Sequence, residues 1–263
     1  MKKLLLLCFV SFFSKGFSQD TLVNYLDTRG QITKIAEQAS LIQVLIKNDI
    51  GIKENLYRLP SKKIISTGHY LDEKLMIKVG QFQYYDEEGA LQIVSNFNSK
   101  GELHGNYILF NKKKKGRVGV YKDGKMNGAW YYYDLQGQKQ ARIIYKNNEV
   151  YAHTLWDAEG NLKDEPLILE KKLSFKGGTE VLNKVVSEQL LRKFFKAKLK
   201  GQALVAFSVN ERGVVENVKV KSEFAEQNEQ WIKDFFYGLT NWEPAIELNR
   251  PVGMGYSMKL IFK

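Results

Sequence analysis

The sequence predicts a mainly β chain: a sheet of repeated β-hairpins, followed by a small α+β domain made of an antiparallel sheet with two helices. Three observations predict it. Gly80 to Gly89 reads G-Q-F-Q-Y-Y-D-E-E-G and Gly128 to Gly137 reads G-A-W-Y-Y-Y-D-L-Q-G, with a looser copy from Gly105 to Asn111 whose closing glycine is delayed to Gly116. Phe97, Tyr121 and Tyr145 follow one another at intervals of 24 residues, and a period in this range means stacked supersecondary units. After residue 175 the hydrophobic period changes, with Val181, Leu182, Val185, Val186 and Leu190 at helical spacing. The composition agrees, with 15 Phe and 14 Tyr but only 4 Pro.

The chain has 263 residues, enough for two domains and a leader. Residues 1–19 have the pattern of a secretory signal: Lys2 and Lys3, an apolar core from Leu4 to Phe13, then Gly16-Phe17-Ser18 as the small-residue cleavage region. Cleavage fits after Ser18 or after Gln19. The apolar run is about half of the ~20 residues that cross a bilayer. Cys8 is the only cysteine, so a processed chain has no disulfide, Cys-based metal site or thiol nucleophile. The expected location is the periplasm or cell envelope.

Residues 20–75 read as an irregular N-terminal cap. Within them Leu41 to Ile46 and Lys63 to Thr67 have strand character, and Tyr25 to Gly30 echoes the end of a repeat unit. The repeat domain spans 76–162. Phe82, Tyr107 and Trp130 lie two residues after each opening glycine, and Tyr84, Leu109 and Tyr132 four after it. Strand residues two apart share a face, so these six form one stripe. A two-faced sheet must bury one side, and this stripe is the better candidate for the core, although aromatic rings there also suit sugars or peptides. Tyr85, Phe110 and Tyr133 fall on the opposite face and are candidate repeat-face contacts. Asp86, Asn111 and Asp134 open the turns, and Gly89 and Gly137 supply positive φ. Trp156 to Gly160 is a last, degenerate copy.

Residues 163–174, with Lys163-Asp164-Glu165-Pro166, read as a linker. In 175–263 the order is helix, strand, strand, helix, strand. Gly177-Gly178-Thr179 starts the first helix. Ala203 to Val209 and Val214 to Val220 form a hairpin about Asn210-Glu211-Arg212-Gly213. Trp231, Ile232, Phe235, Phe236 and Leu239 mark the second helix, and Val252 to Phe262 the last strand. Trp242 is expected to pack under the second helix.

Tyr121 to Gly128, Y-K-D-G-K-M-N-G, together with the G-x-W/F-x-Y-Y-D units, resembles the MORN-like repeats of antitoxin-type repeat proteins over about residues 66–162. That resemblance implies a scaffold or interaction surface. Gly177-Gly178, Phe207-x-Val209-x-x-x-Gly213, Trp242-Glu243-Pro244-Ala245, Arg250-Pro251-Val252 and Lys259 to Phe262 resemble the TonB C-terminal domain family over about residues 175–263. The combination is similar to the energy transducer proteins of Bacteroidetes-type bacteria. In that family the domain binds outer-membrane receptors by pairing with an extended receptor peptide. The resemblance and the position of the last strand make Gly255, Tyr256, Ser257, Met258, Lys259, Leu260 and Ile261 the candidate partner-binding residues, through β-strand addition. A second copy of the chain is the other candidate for that edge, giving a homodimer. A working transducer keeps an N-terminal anchor and a long Pro-rich linker. This chain departs from that with a short leader and 4 Pro, so transport coupling through an uncleaved anchor is the alternative reading.

The remaining residues exclude more than they assign. His69, His104 and His153 have no partner at ligand-like spacing, and there is no P-loop, dinucleotide fingerprint or nucleophile elbow. The expectation is a non-enzymatic binding protein with no catalytic residues, no metal and no cofactor. The net charge is +11, with basic clusters at Lys112 to Lys115, Lys171-Lys172 and Arg192 to Lys200. In an exported protein these meet anionic lipid phosphates sooner than nucleic acid, and a solvated basic face is simpler than either.

Overall fold

The computed structural model describes residues 21–262, so the expected leader lies outside the described residues. The chain divides into two compact units after Lys163.

The first unit is one antiparallel meander of twelve strands paired in chain order. They are β1 (Thr21–Leu26), β2 (Leu41–Asn48), β3 (Gly51–Arg58), β4 (Ile64–Tyr70), β5 (Lys78–Tyr85), β6 (Leu91–Phe97), β7 (Gly105–Asn111), β8 (Lys114–Lys122), β9 (Lys125–Tyr133), β10 (Lys139–Lys146), β11 (Glu149–Trp156) and β12 (Leu162–Lys163). Two kinds of turn join them. The first is a five-residue loop opened by Asp or Asn. At Asp134 the side-chain Oδ1 accepts the Gln136 and Gln138 amides, and the Gly137 amide donates to the Asp134 carbonyl. The same bonds recur about Asp27 with Gly30 and about Asp157 with Gly160. The second kind is a two-residue turn with both residues left-handed, at Lys112-Lys113, Asp123-Gly124 and Asn147-Asn148. Asn111 therefore does not open the same turn as Asp86 and Asp134. Gly116 is not a turn glycine either. Its φ is ordinary, and a Cβ there would lie 2.5 Å from the Asn111 amide nitrogen.

Aromatic rings pack within this single layer by lying across a neighbouring strand. Trp130 on β9 is fully buried and covers Gly119 on β8, where a Cβ would come within 2.1 Å of the indole. Phe82 on β5 covers Gly68 on β4 in the same way, at 2.4 Å. Tyr121 and Tyr107 flank Trp130 at centroid distances of 4.9 and 5.8 Å, and Tyr70 meets Phe82 edge-on at 5.2 Å. The stripe of Phe82, Tyr84, Tyr107, Leu109, Trp130 and Tyr132 is thus the packed face of the sheet, with Phe82, Trp130 and Tyr132 buried and the others half-buried.

The N-terminal stretch differs from the irregular cap that its sequence suggested. Residues 21–70 form four regular strands, β1 to β4, continuous with the repeats. Their inward face is held by polar side chains instead of rings. Asn24 donates to Gln43 at 2.9 Å, Gln43 to Glu54 at 2.7 Å, and the Tyr70 hydroxyl to the other Glu54 oxygen at 3.2 Å. Glu54 is buried and receives both bonds. Burial, then the Glu54 charge, pushes the Tyr70 hydroxyl well above its ordinary pKa.

The second unit is built around β15 (Gly201–Val209), β16 (Val215–Ser222) and β20 (Met254–Phe262), in the order β16-β15-β20. Helix α1 (Gly178–Val185) continues through a wide π segment (Val186–Leu191) into α2 (Arg192–Lys196), and α3 (Glu226–Tyr237) follows β16. Short strands complete it: β13 (Glu170–Lys171), β14 (Ser174–Phe175), β17 (Trp242–Glu243), β18 (Ala245–Glu247) and β19 (Arg250–Val252). Alternation along β15 places Ala203, Val205, Phe207 and Val209 in one core with Leu182, Leu190, Phe194, Ile232, Phe236 and Leu260. The hairpin turn at Asn210 repeats the Asx loop of the first unit, with Gly213 bonded to the Asn210 carbonyl.

Residues 163–174 are not a free linker. Glu170 and Lys171 pair with β18, and Asn249 bonds both the Ile168 amide and the Pro166 carbonyl. Trp242 is buried as expected, and its ring neighbours are Phe175, Phe207 and Tyr256, at 5.3, 5.4 and 5.1 Å.

Candidate functional site

The site with the clearest geometry is the outer edge of β20. This strand pairs with β15 from Val209↔Met254 to Gly201↔Phe262, and among the described residues its other edge pairs with no strand. Of the candidate residues, Tyr256, Met258 and Leu260 turn toward the core, and Gly255, Ser257, Lys259 and Ile261 face out. The Tyr256 ring is wedged against Phe207 and Trp242, at centroid distances of 5.6 and 5.1 Å. This inward row holds the strand extended, and among the described residues the backbone groups of its outer edge pair with no strand. The edge carries one charge, Lys259.

The other edge of the same sheet, β16, is a poorer template. Its pairing to β15 is broken by an irregularity between Ala206 and Ser208, and Asn217 is left-handed. It also carries Glu216, Lys219 and Lys221. Bulges and charges of this kind blunt strand edges.

Tyr85, Phe110 and Tyr133, the candidate repeat-face contacts, are only partly exposed. All three are half-buried at strand ends, beside the turns. The Tyr85 hydroxyl donates to Gln83 at 2.9 Å on its own strand. The ladder slips next to each of them: between Tyr84 and Tyr85, between Leu109 and Phe110, and opposite Tyr133 between Lys139 and Ala141. In each case the extra residue lies on the partner strand, Gln92, Gly116 or Gln140, so the strands that carry the three rings keep their own alternation.

The packed face of the first unit holds two cations that sequence reasoning missed. The Lys78 ammonium lies 5.0, 5.2 and 5.5 Å from the ring centroids of Phe82, Tyr84 and Phe97, and donates to the Tyr84 hydroxyl at 2.7 Å. Arg117 lies over Tyr107 and Trp130, at 5.4 and 5.8 Å. The protein's own cations thus occupy the aromatic bays that the sequence offered to sugars. Arg117 leaves no mark in the spacing, because β8 lies between the strands that carry its rings, whereas Lys78 shares β5 and one face with Phe82 and Tyr84, a period-two signal that sequence reasoning did not use. The same face carries a Tyr132–Tyr145 hydroxyl pair at 3.0 Å, and burial, then that bond, pushes Tyr132 far above its ordinary range.

His104 and His69 bond to side chains on neighbouring strands and turns. His104 Nδ1 pairs with Asp123 at 3.1 Å and ties two turns together. His69 meets the Asn48 side chain at 3.1 Å. Among the described residues no group of three or more His, Cys, Asp or Glu could hold a metal ion. Among them, too, no helix is long and apolar enough to cross a membrane.

In comparisons with known proteins, the chain matches no family model and no curated protein.

Proposed function

We propose that this chain is a non-enzymatic binding protein of the cell envelope, and that it engages a protein partner by adding an extended segment of that partner to β20. The observation that carries this reading is the nine-residue edge of β20, unpaired among the described residues beside a sheet whose other edge is bulged and charged. Main-chain pairing along such an edge supplies affinity, and alternate side chains supply selectivity. On this reading the first unit is a MORN-like repeat scaffold, and the second a TonB C-terminal-like module. The motif pairs Gly177-Gly178 and Trp242-x-Pro244-Ala245, together with the helix-hairpin-helix-strand order, support the second assignment. The partner class is the extended periplasmic segment of an outer-membrane receptor.

The test uses the full chain with synthetic peptides from the N-terminal segments of outer-membrane receptors of the source cell. Hydrogen exchange of the β20 amides is followed with and without peptide. The expected result is slowed exchange at alternate β20 positions. Met258→Pro and Lys259→Pro sharpen it, because successive N–H groups point to opposite sides of a strand. One of the two should abolish binding in a folded chain. Binding that protects no β20 amide, or no binding at all, overturns the proposal. A concentration-dependent dimer whose β20 amides are protected without peptide assigns the edge to a second copy instead.

A further inference from the structure

We propose that the end of the second unit formed by Arg192 to Lys200 docks on the surface of an anionic phospholipid bilayer. The span from Ser187 to Lys200 carries Arg192, Lys193, Lys196, Lys198 and Lys200 against the lone carboxylate Glu188. Lys193 is engaged within the fold, with its ammonium 4.1 Å from the Trp231 ring centroid. Arg192, Lys196, Lys198 and Lys200 make no ion pair among the described residues.

Two adjacent phenylalanines divide the labour at this end. Phe194 is fully buried and stacks on Phe262 at 4.1 Å. Phe195 points the other way and is 72% exposed. With Leu191 and Ile261 it lines an open hollow of about 600 Å³, completed by Ser187, Glu188, Arg192 and Phe262. Ile261 is itself 54% exposed. An apolar trio beside Arg192, with Lys196, Lys198 and Lys200 following in the chain and Glu188 as the one carboxylate, is the composition of an interfacial anchor. The cations meet headgroup phosphates, and the ring enters the acyl boundary. The pattern continues on the open face of the three-stranded sheet, where the half-exposed Leu204 lies between Lys221 and Lys259 on its two neighbouring strands.

Charge alone also suits nucleic acid. A nucleic-acid groove stacks successive bases on aromatic faces along a basic track. Here the hollow holds two rings, but Phe262 is buried and only Phe195 is exposed, beside the aliphatic Leu191 and Ile261, which lipid covers better than bases do. Docking of this kind needs no partner peptide, although Ile261 belongs both to this hollow and to the β20 edge.

The test is co-sedimentation of the full chain with phosphatidylcholine vesicles, with and without phosphatidylglycerol. Binding is expected only when phosphatidylglycerol is present, and it should weaken with added salt, because the headgroup attraction is screened. Phe195→Ser removes a side chain with little to lose inside the fold, and should weaken binding about tenfold. Lys196→Gln with Lys198→Gln should weaken it roughly 25-fold, at about fivefold per cation. Circular dichroism of each variant checks that it folds. Equal binding to both vesicle types overturns the proposal, as does unchanged binding by either folded variant. So does single-stranded RNA that displaces the chain from phosphatidylglycerol vesicles and binds more tightly than they do.

Discussion

The two units bury their rings by different means. In the first, Trp130 is covered by Tyr107, Tyr121 and Tyr145, all on strands within two places of its own. Each ring leans on its neighbours, and among the described residues this unit contains no α-helix. In the second unit one core joins Phe175 near its start to Phe262 at its end, between three strands and the helices. The first arrangement is local and repetitive, and the second is closed and long-range. A local core can lose one piece and keep the rest, whereas a closed core fails as a whole.

The largest effects should expose that difference directly. Phe236→Ala and Trp130→Ala each remove a fully buried ring, and each should cost about 3–5 kcal/mol. Hydrogen exchange should separate them. Phe236→Ala should speed exchange across the whole second unit. Trp130→Ala should act most on β8 to β10 and fade toward β1. Uniform acceleration of the first unit by Trp130→Ala would show that its sheet is as cooperative as the second core.

Glycines give the next largest effect. Gly137 and Gly213 close the same five-residue loop, one in each unit, at φ of 86° and 78°. A Cβ at Gly137 would meet only the flexible end of Lys114, at 3.3 Å, whereas at Gly213 it would lie 2.5 Å from the Trp242 carbonyl oxygen. Gly137→Ala should therefore cost only the left-handed backbone penalty, about 1–2 kcal/mol. Gly213→Ala adds a backbone clash of about 1–3 kcal/mol to that penalty. Gly119→Ala has no φ penalty but drives the Trp130 ring off its strand, and its cost should lie in the same 1–3 kcal/mol range, by roughly the overpacking term alone. Urea midpoints of the two unfolding transitions measure all three. Equal costs for Gly137 and Gly213 would mean that the Trp242 strand moves aside freely.

The turn side chains come third. Asp134→Ala and Asn210→Ala each remove an acceptor of two backbone N–H groups, at exposed sites with the same geometry. Each should cost about 1 kcal/mol, and the two should agree within error, because the loop is self-contained and indifferent to the core beside it.

Legibility followed the same division. The mainly β character and the long antiparallel sheet could be read because glycine, aromatic and Asx positions recur where the structure places turns and rings. Positions 21–70 belong to the same sheet, yet they were read as irregular. Their inward face holds Asn24, Gln43 and Glu54, polar residues that look like surface until the chain of hydrogen bonds is seen. The edge position of β20 was expected from the resemblance and the place of the last strand, but the inward turn of Tyr256, Met258 and Leu260 was not read. The half-burial of Tyr85, Phe110 and Tyr133 beside the turns was not legible, and the bulges opposite them leave no mark in a single sequence. The hollow beside Phe195 escaped notice because Leu191 and Ile261 are 70 residues apart in the chain.

The smallest expected effect is a pH response confined to one unit. All three histidines lie in the first unit, so the second has no side chain that ordinarily titrates near pH 6.5. Burial of His69, and then the positive Lys53 on the paired strand, hold its pKa below the ordinary 6.5. The unfolded chain therefore takes up this proton at a higher pH than the folded sheet does. The stability that His69 contributes is complete above about pH 6.5, falls as the pH drops from there, and is gone once the folded-state pKa is passed. Between about pH 7.5 and about pH 5.5 the urea midpoint of the first unit should decrease, and that of the second should hold. Lys53→Gln should shrink the decrease by removing the weaker of the two causes, and His69→Gln should remove the His69 share altogether. A decrease of equal size in both units would place the titrating group elsewhere and dissociate the response from β4.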